Sequence, residues 1–558
     1  MPRLDYKAPG VYIEEIDRGS RPIEGVSTAI AGFVGFTEDI REGAELFKPQ
    51  LITTWTQYLR HFSRPNSDGF TTFNAYLPFA VYGYFLNGGG RCWVTSIGTQ
   101  LPSASAPRNP QSQPATLEIP GRGGNRRPLL VFTLRPEQAS GGAVEIVIDN
   151  GTPRALPEGT ENPPPAPDAG EFFTLQIKRG GQILEQYENL TMDAQVPEQY
   201  GTQVMTALRS SLYITVEELP QQGRITNRRP INGTYDLAPP PVPARIDQFA
   251  RDVEGVRDDR TGVRGLLEID EITMLACPDL MRAYEAQMLN LDQVHGIMEL
   301  MISSCEGALD GDIPNPPNRM VVLDPPPDRV KPQEVLEWVE RWNRRSMFAA
   351  LYYPWIKVAN PKENGRPIAV PPCGHMMGVW GRTDETRGVY KAPANEVPRG
   401  TLGLTYETNF REQELLNPKG INCIRSFPDR GIRIWGARTL VEPDKTEWRY
   451  ISVRRLVSYI AKSIELGTQW AVFEPNDEDL WARVRRTVSN FLERIWREGA
   501  LFGTTPEQAF YVKCDAELNP PETMILGRLY IEVGVCPVRP AEFVIFRISQ
   551  WDPTQNAE

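Results

Sequence analysis

ITMLACPD (Ile272–Asp279), MRAYEAQMLNLDQVHGIMELMISSCEG (Met281–Gly307), RMVVLDPPP (Arg319–Pro327), KPQEVLEWVERWNR (Lys331–Arg344) and MFAALYYPWIKV (Met347–Val358) follow one another closely. The first, third and fifth are short apolar runs of strand length, and the first and third run into proline. The second and fourth have helical length and pattern, the fourth with Pro332 near its first turn. Strand, helix, strand, helix, strand predicts a parallel sheet with right-handed crossovers. That places the chain in the α/β class.

Working back toward the N-terminus, Val11-Tyr12-Ile13-Glu14-Glu15-Ile16 reads as a short strand behind a polar arm and Pro9-Gly10. STAIAGFVGFTED (27–39) is a more apolar strand whose small residues Ala29, Ala31, Gly32 and Gly35 predict tight backbone packing. LITTWTQYLRHF (51–62) leads into a helix, and FNAYLPFAVYGYFLNGG (73–89) is a second, closed by glycines. RCWVTSIG (91–98) returns as a strand.

Composition shifts at Leu101 toward Pro, Gly and Gln, with extended linkers at 163–170 and 238–244. Between them PLLVFTLRP, AVEIVID, EFFTLQIKRG, GQILEQYENL and LYITVEEL, starting at 128, 143, 171, 181 and 212, are strand-like. Short strands separated by turn signals predict a small β domain inserted into the α/β host.

The C-terminal block is the most strongly patterned. Beyond the helix VRRLVSYIAKSIELG and a strand-like WAVFEP, DEDLWARVRRTVSNFLERIWREG reads as one long helix. Asn476 or Asp477 can cap it, Glu478 and Asp479 suit its N-terminal dipole, and Arg494 and Arg497 suit its end before Gly499. Leu480, Trp481, Val484, Val488, Phe491, Leu492 and Ile495 form one apolar stripe, and Arg483, Arg486, Arg494 and Arg497 line the opposite face. AEFVIFRISQ (541–550) alternates Val544, Phe546 and Ile548 against Phe543, Ile545 and Arg547. A terminal strand this apolar needs a sheet, in its own subunit or in another.

The chain has 558 residues, enough for roughly three to four domains. It is 40% hydrophobic and 23% charged, the balance of a globular protein. A net charge of −11 argues against a nucleic-acid partner. Seven cysteines without a CxxC pair predict free thiols in a reducing compartment. The N-terminal stretch lacks the apolar core of a secretory signal, and no window reaches about 18 apolar residues, so a soluble cytoplasmic protein without membrane insertion is expected.

Chemistry has few candidates. Asp279 and Asp324 follow strands, where open α/β sheets bind ligands. The three histidines, His61, His295 and His375, are scattered, and no GxSxG elbow precedes a helix, which argues against a hydrolase. Cys373-Gly374-His375 lacks a second pair of metal ligands. The glycine runs at 87–90 and 121–124 match no phosphate loop, the first reading instead as a helix C-cap turn. No catalytic, cofactor or metal site is expected.

YKAPGVYIEEI (6–16) followed by RPIEGVSTAIAGFVGF (21–36) resembles the N-terminal arm and first strand of contractile tail sheath proteins, the family of phage tails and related injection systems. YGYFLNGGGRCWVTSI (82–97) resembles the next signature. LNPKGINCIRSFPDRGIRIWGARTL (416–440), the stretch from Glu447 to Gly503 and PAEFVIFRISQ (540–550) resemble the sheath C-terminal domain. Together these cover roughly residues 6–98 and 264–550. The part from about 101 to 243 has no counterpart motif and lies where sheath families insert variable outer domains.

The resemblance implies a mixed α/β (α+β) multi-domain subunit. Residues 1–20 would be a linker arm, 21–100 the N-terminal part of the core and 101–248 the inserted outer β-rich domain. Residues 249–390 would be an α/β domain of subtilisin-like topology without a protease triad, 391–540 the C-terminal sheath domain and 541–558 a linker strand and tail. It also implies a homopolymer of helically stacked hexameric rings around an inner tube, contracting to drive the tube through a target envelope. Baseplate and terminator or cap proteins, and sheath paralogues, are the further partners implied, in an assembly built in the cytoplasm. The arms, with Val11, Tyr12, Ile13 and Ile16 at one end and Phe543, Val544, Ile545, Phe546 and Ile548 at the other, would add strands to neighbouring subunits. The arginine face would meet the tube. An α/β enzyme is the rival from another class, and a tube or baseplate component the rival within contractile machines.

Overall fold

The computed structural model describes residues 22–101, 115–122, 128–135, 144–156, 167–219, 229–237, 246–307 and 319–545. The alternation around 272–358 folds into an eight-stranded, largely parallel sheet. From edge to edge its strands are Gly431–Ile434, Ile421–Phe427, Ala349–Tyr353, Met320–Leu323, Met274–Ala276, Ala31–Gly35, Cys92–Ser96 and Pro49–Ile52. The inner six are parallel, and the strand at either edge is antiparallel to its neighbour.

The sheet order reverses at Ala31–Gly35. Ala31, Gly32 and Phe33 face Met274, Leu275 and Ala276 on one side and Cys92, Trp93 and Val94 on the other. All five residues of this strand are buried, as expected when helices cover both faces. Its small residues have a physical cause: a Cβ on Gly35 would stand 2.4 Å from the Asp279 carboxylate and 2.7 Å from Leu77. Helices Tyr76–Leu86 and Cys373–Arg387 also meet backbone to backbone. A Cβ on Gly374 or Gly378 would fall 2.3 and 2.4 Å from the Ala80 and Tyr84 carbonyl oxygens. Phe33, Tyr58, Tyr84, Tyr352 and Trp380 are fully buried in the shared core.

Several elements differ from the sequence reading. The single helix expected over 281–307 is two, Asp279–Glu285 and Leu291–Glu306. Gln287 turns left-handed at φ +56°, and Asn290 with Gln293 forms a capping box that starts the second. The strand expected over 347–358 is also two, because Pro354 interrupts it: Ile356–Asn360 leaves the main sheet for a three-stranded one. WAVFEP is not a strand. It is a 3₁₀ turn over Gln469–Ala471 followed by irregular chain with Phe473 left-handed.

The inserted region has sheets and an apolar core of its own. All five expected strands are present, as Pro128–Leu134, Val144–Asn150, Phe172–Arg179, Gln182–Thr191 and Ile214–Glu218. Thr116–Pro120, Thr202–Gln203 and Gly233–Leu237 complete a three-stranded and a five-stranded sheet around a separate apolar core. Thr202–Gln203 is too short, and Gly233–Leu237 too polar, to announce themselves in sequence.

Residues 421–434, expected within a C-terminal domain of 391–540, instead supply two strands of the main sheet. The buried Asn422 fixes them there: its Nδ2 donates to the Leu351 carbonyl (3.1 Å) and the Arg438 carbonyl (2.8 Å), and its Oδ1 accepts from Arg438 N (2.6 Å). The second compact unit comprises, among the described residues, 22–28, 387–392 and 452–545. It holds helices Ile451–Gly467 and Glu478–Arg497 and an antiparallel pair, Phe510–Lys513 with Glu532–Val535.

Candidate assembly interface

In an open α/β sheet, ligands bind outside the carboxyl ends of strands where the order reverses. Here that position is filled by the protein itself. Asp279 is fully buried, its Oδ2 accepting from Phe36 N (2.7 Å) and Leu77 N (3.1 Å) and its Oδ1 from Tyr76 N (2.5 Å). Tyr76 and Leu77 open a helix whose own N-cap, Ala75, has no side-chain acceptor, so Asp279 caps it from elsewhere in the chain. Burial pushes the Asp279 carboxyl up to about 7, against the pull of these three donors. Asp324 repeats the device: it accepts from Cys373 N (3.0 Å) at the head of Cys373–Arg387, and burial raises it to about 7. Both aspartates are helix caps.

The remaining candidates are equally structural. Burial raises the Cys373 thiol well above its ordinary range, away from thiolate chemistry. His375 packs on Gly83, where a Cβ would fall 2.3 Å from its ring, and burial lowers it to about 4. His295 accepts from Trp338 Nε1 (2.8 Å) and stacks on Trp342. Asn87–Gly90 is the helix C-cap turn expected, with Gly88 at φ +105° and Gly88 N and Gly89 N bonded to the carbonyls of Phe85 and Tyr84. Among the described residues no cluster of three or more His, Cys, Asp or Glu could hold a metal, and no helix is long and apolar enough to cross a membrane.

The long helix forms over Glu478–Arg497 with every residue of the expected apolar stripe buried. Asp477 is its cap, accepting from Leu480 N at 2.8 Å, a bond worth about 1 kcal/mol. Asn476 instead accepts from Trp481 Nε1 (2.8 Å) and donates to the Arg528 carbonyl (3.0 Å). The four arginines share one exposed face but not one role. Arg483 pairs with Glu474 (3.2 Å) and lies 5.4 Å over the Trp470 ring. Arg497 pairs with Glu493 one turn back. Arg494 donates to the Ile23 carbonyl (2.6 Å), which makes it a clamp within the subunit. Arg486 alone of the four has no partner among the described residues. Arg485, which the sequence reading passed over, donates to the Cys514 carbonyl (2.8 Å) and ties the helix to the small sheet.

That sheet has two strands and therefore two unpaired outer edges among the described residues. Phe510, Val512, Val533 and Val535 turn inward against the helix, while Tyr511 covers Gly534 on the outer face and its Oη donates to Glu532 (2.6 Å). Phe543, Val544 and Ile545 are exposed and belong to no strand. Phe546 and Ile548, like Val11, Tyr12, Ile13 and Ile16, lie outside the described residues. Among the described residues, half of the large hydrophobic side chains left exposed fall between Leu466 and Ile545.

Comparison with known proteins bears on the same two regions. Residues 317–440 match the phage tail sheath protein central domain, and residues 444–550 the phage tail sheath C-terminal domain. Both matched stretches are tail sheath domains. The tail sheath protein of Burkholderia phage BcepMu is 27% identical over 197 residues, 34% of this chain and 40% of its own. The curated sheath relatives are matched over half or less of their own length. Two solved sheaths share the fold along nearly the whole chain. The PVC sheath complex of an extracellular contractile injection system, in its contracted state, has a TM-score of 0.54 at 20% identity and covers 99% of this chain and 100% of its own. The helical sheath of the anti-feeding prophage, also contracted, gives 0.53 at 23%, covering 98% and 99%. The sheath family is structural rather than enzymatic, in keeping with carboxylates that cap helices. Its central-domain match contains four strands of the main sheet, and its C-terminal match contains both helices and the open two-stranded sheet.

Proposed function

We propose that this chain is the structural sheath subunit of a contractile tail or injection particle. It polymerises as helically stacked hexameric rings around an inner tube and contracts to drive the tube through a target envelope. One observation carries the reading: residues 22–28 and 541–545, at the two ends of the described chain, belong to the same unit as a sheet whose two outer edges are unpaired among the described residues. A subunit built this way gives strands and receives them. Extended arms of neighbouring copies, Val11–Ile16 from one and Phe543–Ile548 from another, add to the pair Phe510–Lys513 and Glu532–Val535 by β-augmentation.

The energetics suit an assembly rather than a closed subunit. Ordering eight residues costs on the order of 8–16 kcal/mol of backbone entropy. Burying four or five large apolar side chains returns roughly 1.5–3 kcal/mol each. The donated strand is therefore stable only in a fitted sheet. Arg483 and Arg486 face the inner tube, and baseplate and cap proteins close the cylinder at its ends. Deleting residues 541–558 leaves a folded subunit that forms no cylinders in electron micrographs. Tubular sheaths from that truncation would overturn the reading.

A further inference from the structure

The inserted region and its host share no apolar side chain among the described residues: the core around Phe132, Ile146 and Leu175 is separate from the core under the main sheet. Charged side chains meet across the junction instead, around one loop. Residues 36–41 follow the strand Ala31–Gly35, at which the sheet order reverses. Thr37 N donates to the Gly98 carbonyl (3.0 Å), close to where the chain leaves for the insert. Phe36 stacks on Phe249, 5.5 Å between ring centroids and 11° between planes, close to where the chain returns. The loop's backbone is fixed to the host, Asp39 N donating to the Phe62 carbonyl (3.0 Å) and Arg41 N to the His61 carbonyl (2.7 Å). From this base the Arg41 guanidinium reaches Glu145 of the insert at 3.5 Å.

The insert's side of this contact is acidic. In the antiparallel pair Val144–Asn150 with Gly233–Leu237, Asp236 stands directly opposite Glu145, so the two carboxylates share one face. Like charges placed this way weaken a sheet unless a cation meets them. Lys178 stands opposite Glu145 on its other side. Asp236 also reaches into the host's field. Burial raises the Asp39 carboxyl, the bond from Ile40 N and the charges of Arg41 and Arg64 lower it, and the Asp236 charge raises it again.

We propose that this junction is an electrostatic latch: Arg41 clasps Glu145 beside Asp236 and holds the insert at one orientation on the loop 36–41, and opening the clasp lets the insert pivot there. Complementary charge matches the two sides, since the host brings Arg41 and Arg64 against one carboxylate, and the insert brings two carboxylates. A polar junction has the right physics for a latch. Parting two apolar faces costs free energy in proportion to the area exposed. Parting charges that already touch water exchanges one solvated state for another, and salt screens the attraction. Side-chain exposures of 17% for Arg41 and 28% for Glu145 put the pair in that second regime.

The test uses the full chain with its exposed cysteine removed by Cys536→Ser, the other six being buried. Spin labels go on Gln182→Cys in the insert and Glu363→Cys in the host, both exposed positions. Labelled chain is diluted with unlabelled chain so that only distances within one subunit are read. The unaltered junction should give one narrow distance distribution at about 50 mM salt and one about twice as wide at about 1 M, where the screening length falls to about 3 Å. Arg41→Glu and the milder Arg41→Gln should be wide at both salt concentrations. Arg41→Glu combined with Glu145→Lys should be narrow again at low salt. A width that changes neither with salt nor in Arg41→Gln overturns the latch. Arg41 variants that widen without rescue by the charge swap overturn the pairing with Glu145. A wide distribution for the unaltered junction at low salt means that nothing holds the insert, and overturns the latch as well. Each outcome is independent of whether the chain polymerises.

Discussion

Ile23 occupies the space that a side chain at position 467 would need: a Cβ on Gly467 would stand 2.6 Å from Ile23 Cγ1 and 2.7 Å from its Cγ2. The rest of the segment is fastened to the same helix. Gly25 lies against the Tyr459 ring, Val26 N donates to Ser463 Oγ (3.2 Å), and the Thr28 carbonyl accepts from Arg455 (2.9 Å). Residues 22–28 are thus a seated anchor for whatever the preceding arm does.

Gly467→Ala should push Ile23 out of the core. The expected cost is about 1–3 kcal/mol, typical of overpacking, seen as a lower melting temperature together with faster proteolysis on the N-terminal side of Thr28. Ile23→Ala should cost about 2–5 kcal/mol through the cavity it leaves.

Asp279 makes stability depend on pH in an unusual direction. Its carboxyl lies near 3.8 when unfolded and about 7 when folded, so its contribution is full below pH 4 and is lost as the pH rises through 7. Over that window the loss approaches 1.4 kcal/mol per pH unit, and Asp324 acts with the same sign. Asp279→Asn should flatten part of this slope. It should also cost about 1–3 kcal/mol near neutral pH, because an amide nitrogen would face a backbone N–H. Melting curves between pH 5 and 7.5 check both.

His375 has the opposite sign. Burial lowers its pKa from 6.5 to about 4, so its contribution is present above pH 6.5 and is lost as the pH falls toward 4. His375→Gln should lose less stability than the wild type between pH 6.5 and 4.5. A larger loss in the variant would contradict the assignment.

Reversing Arg483 and Arg486 to Glu should leave the subunit's melting temperature nearly unchanged, since exposed ion pairs contribute about 0–1 kcal/mol. The same reversal should yield contracted or empty sheaths. Normal numbers of extended, tube-filled particles would make this face merely solvated.

Much of this was legible in sequence wherever the signal was local. The alternation around 272–358, the stripe and cap of the long helix, and five strands of the insert all follow from periodicity and turn residues. What escaped depends on partners far along the chain. Nothing near Asp279 says that it caps a helix beginning at Tyr76, and nothing near Ile421 says that its strand pairs with Ala349–Tyr353. WAVFEP has the composition of a strand, but the bonds from Glu474 and Asn476 to Arg483 and Arg528 bend it into a turn. Arg494 looked like one arginine among four until Ile23 came to rest beside it.

The separate core of residues 115–237 has a consequence for how such a chain can change. None of its buried side chains is shared with the core under the main sheet, so the two respond to mutation independently. The host keeps its core through changes there provided the ends still meet the chain at Leu101 and Ile246, with the Arg41–Glu145 ion pair (3.5 Å) the polar link at stake. The insert is in that sense a socket for cargo: a place where a reporter, a binding module or an entirely different β domain could be spliced without repacking the host beneath it.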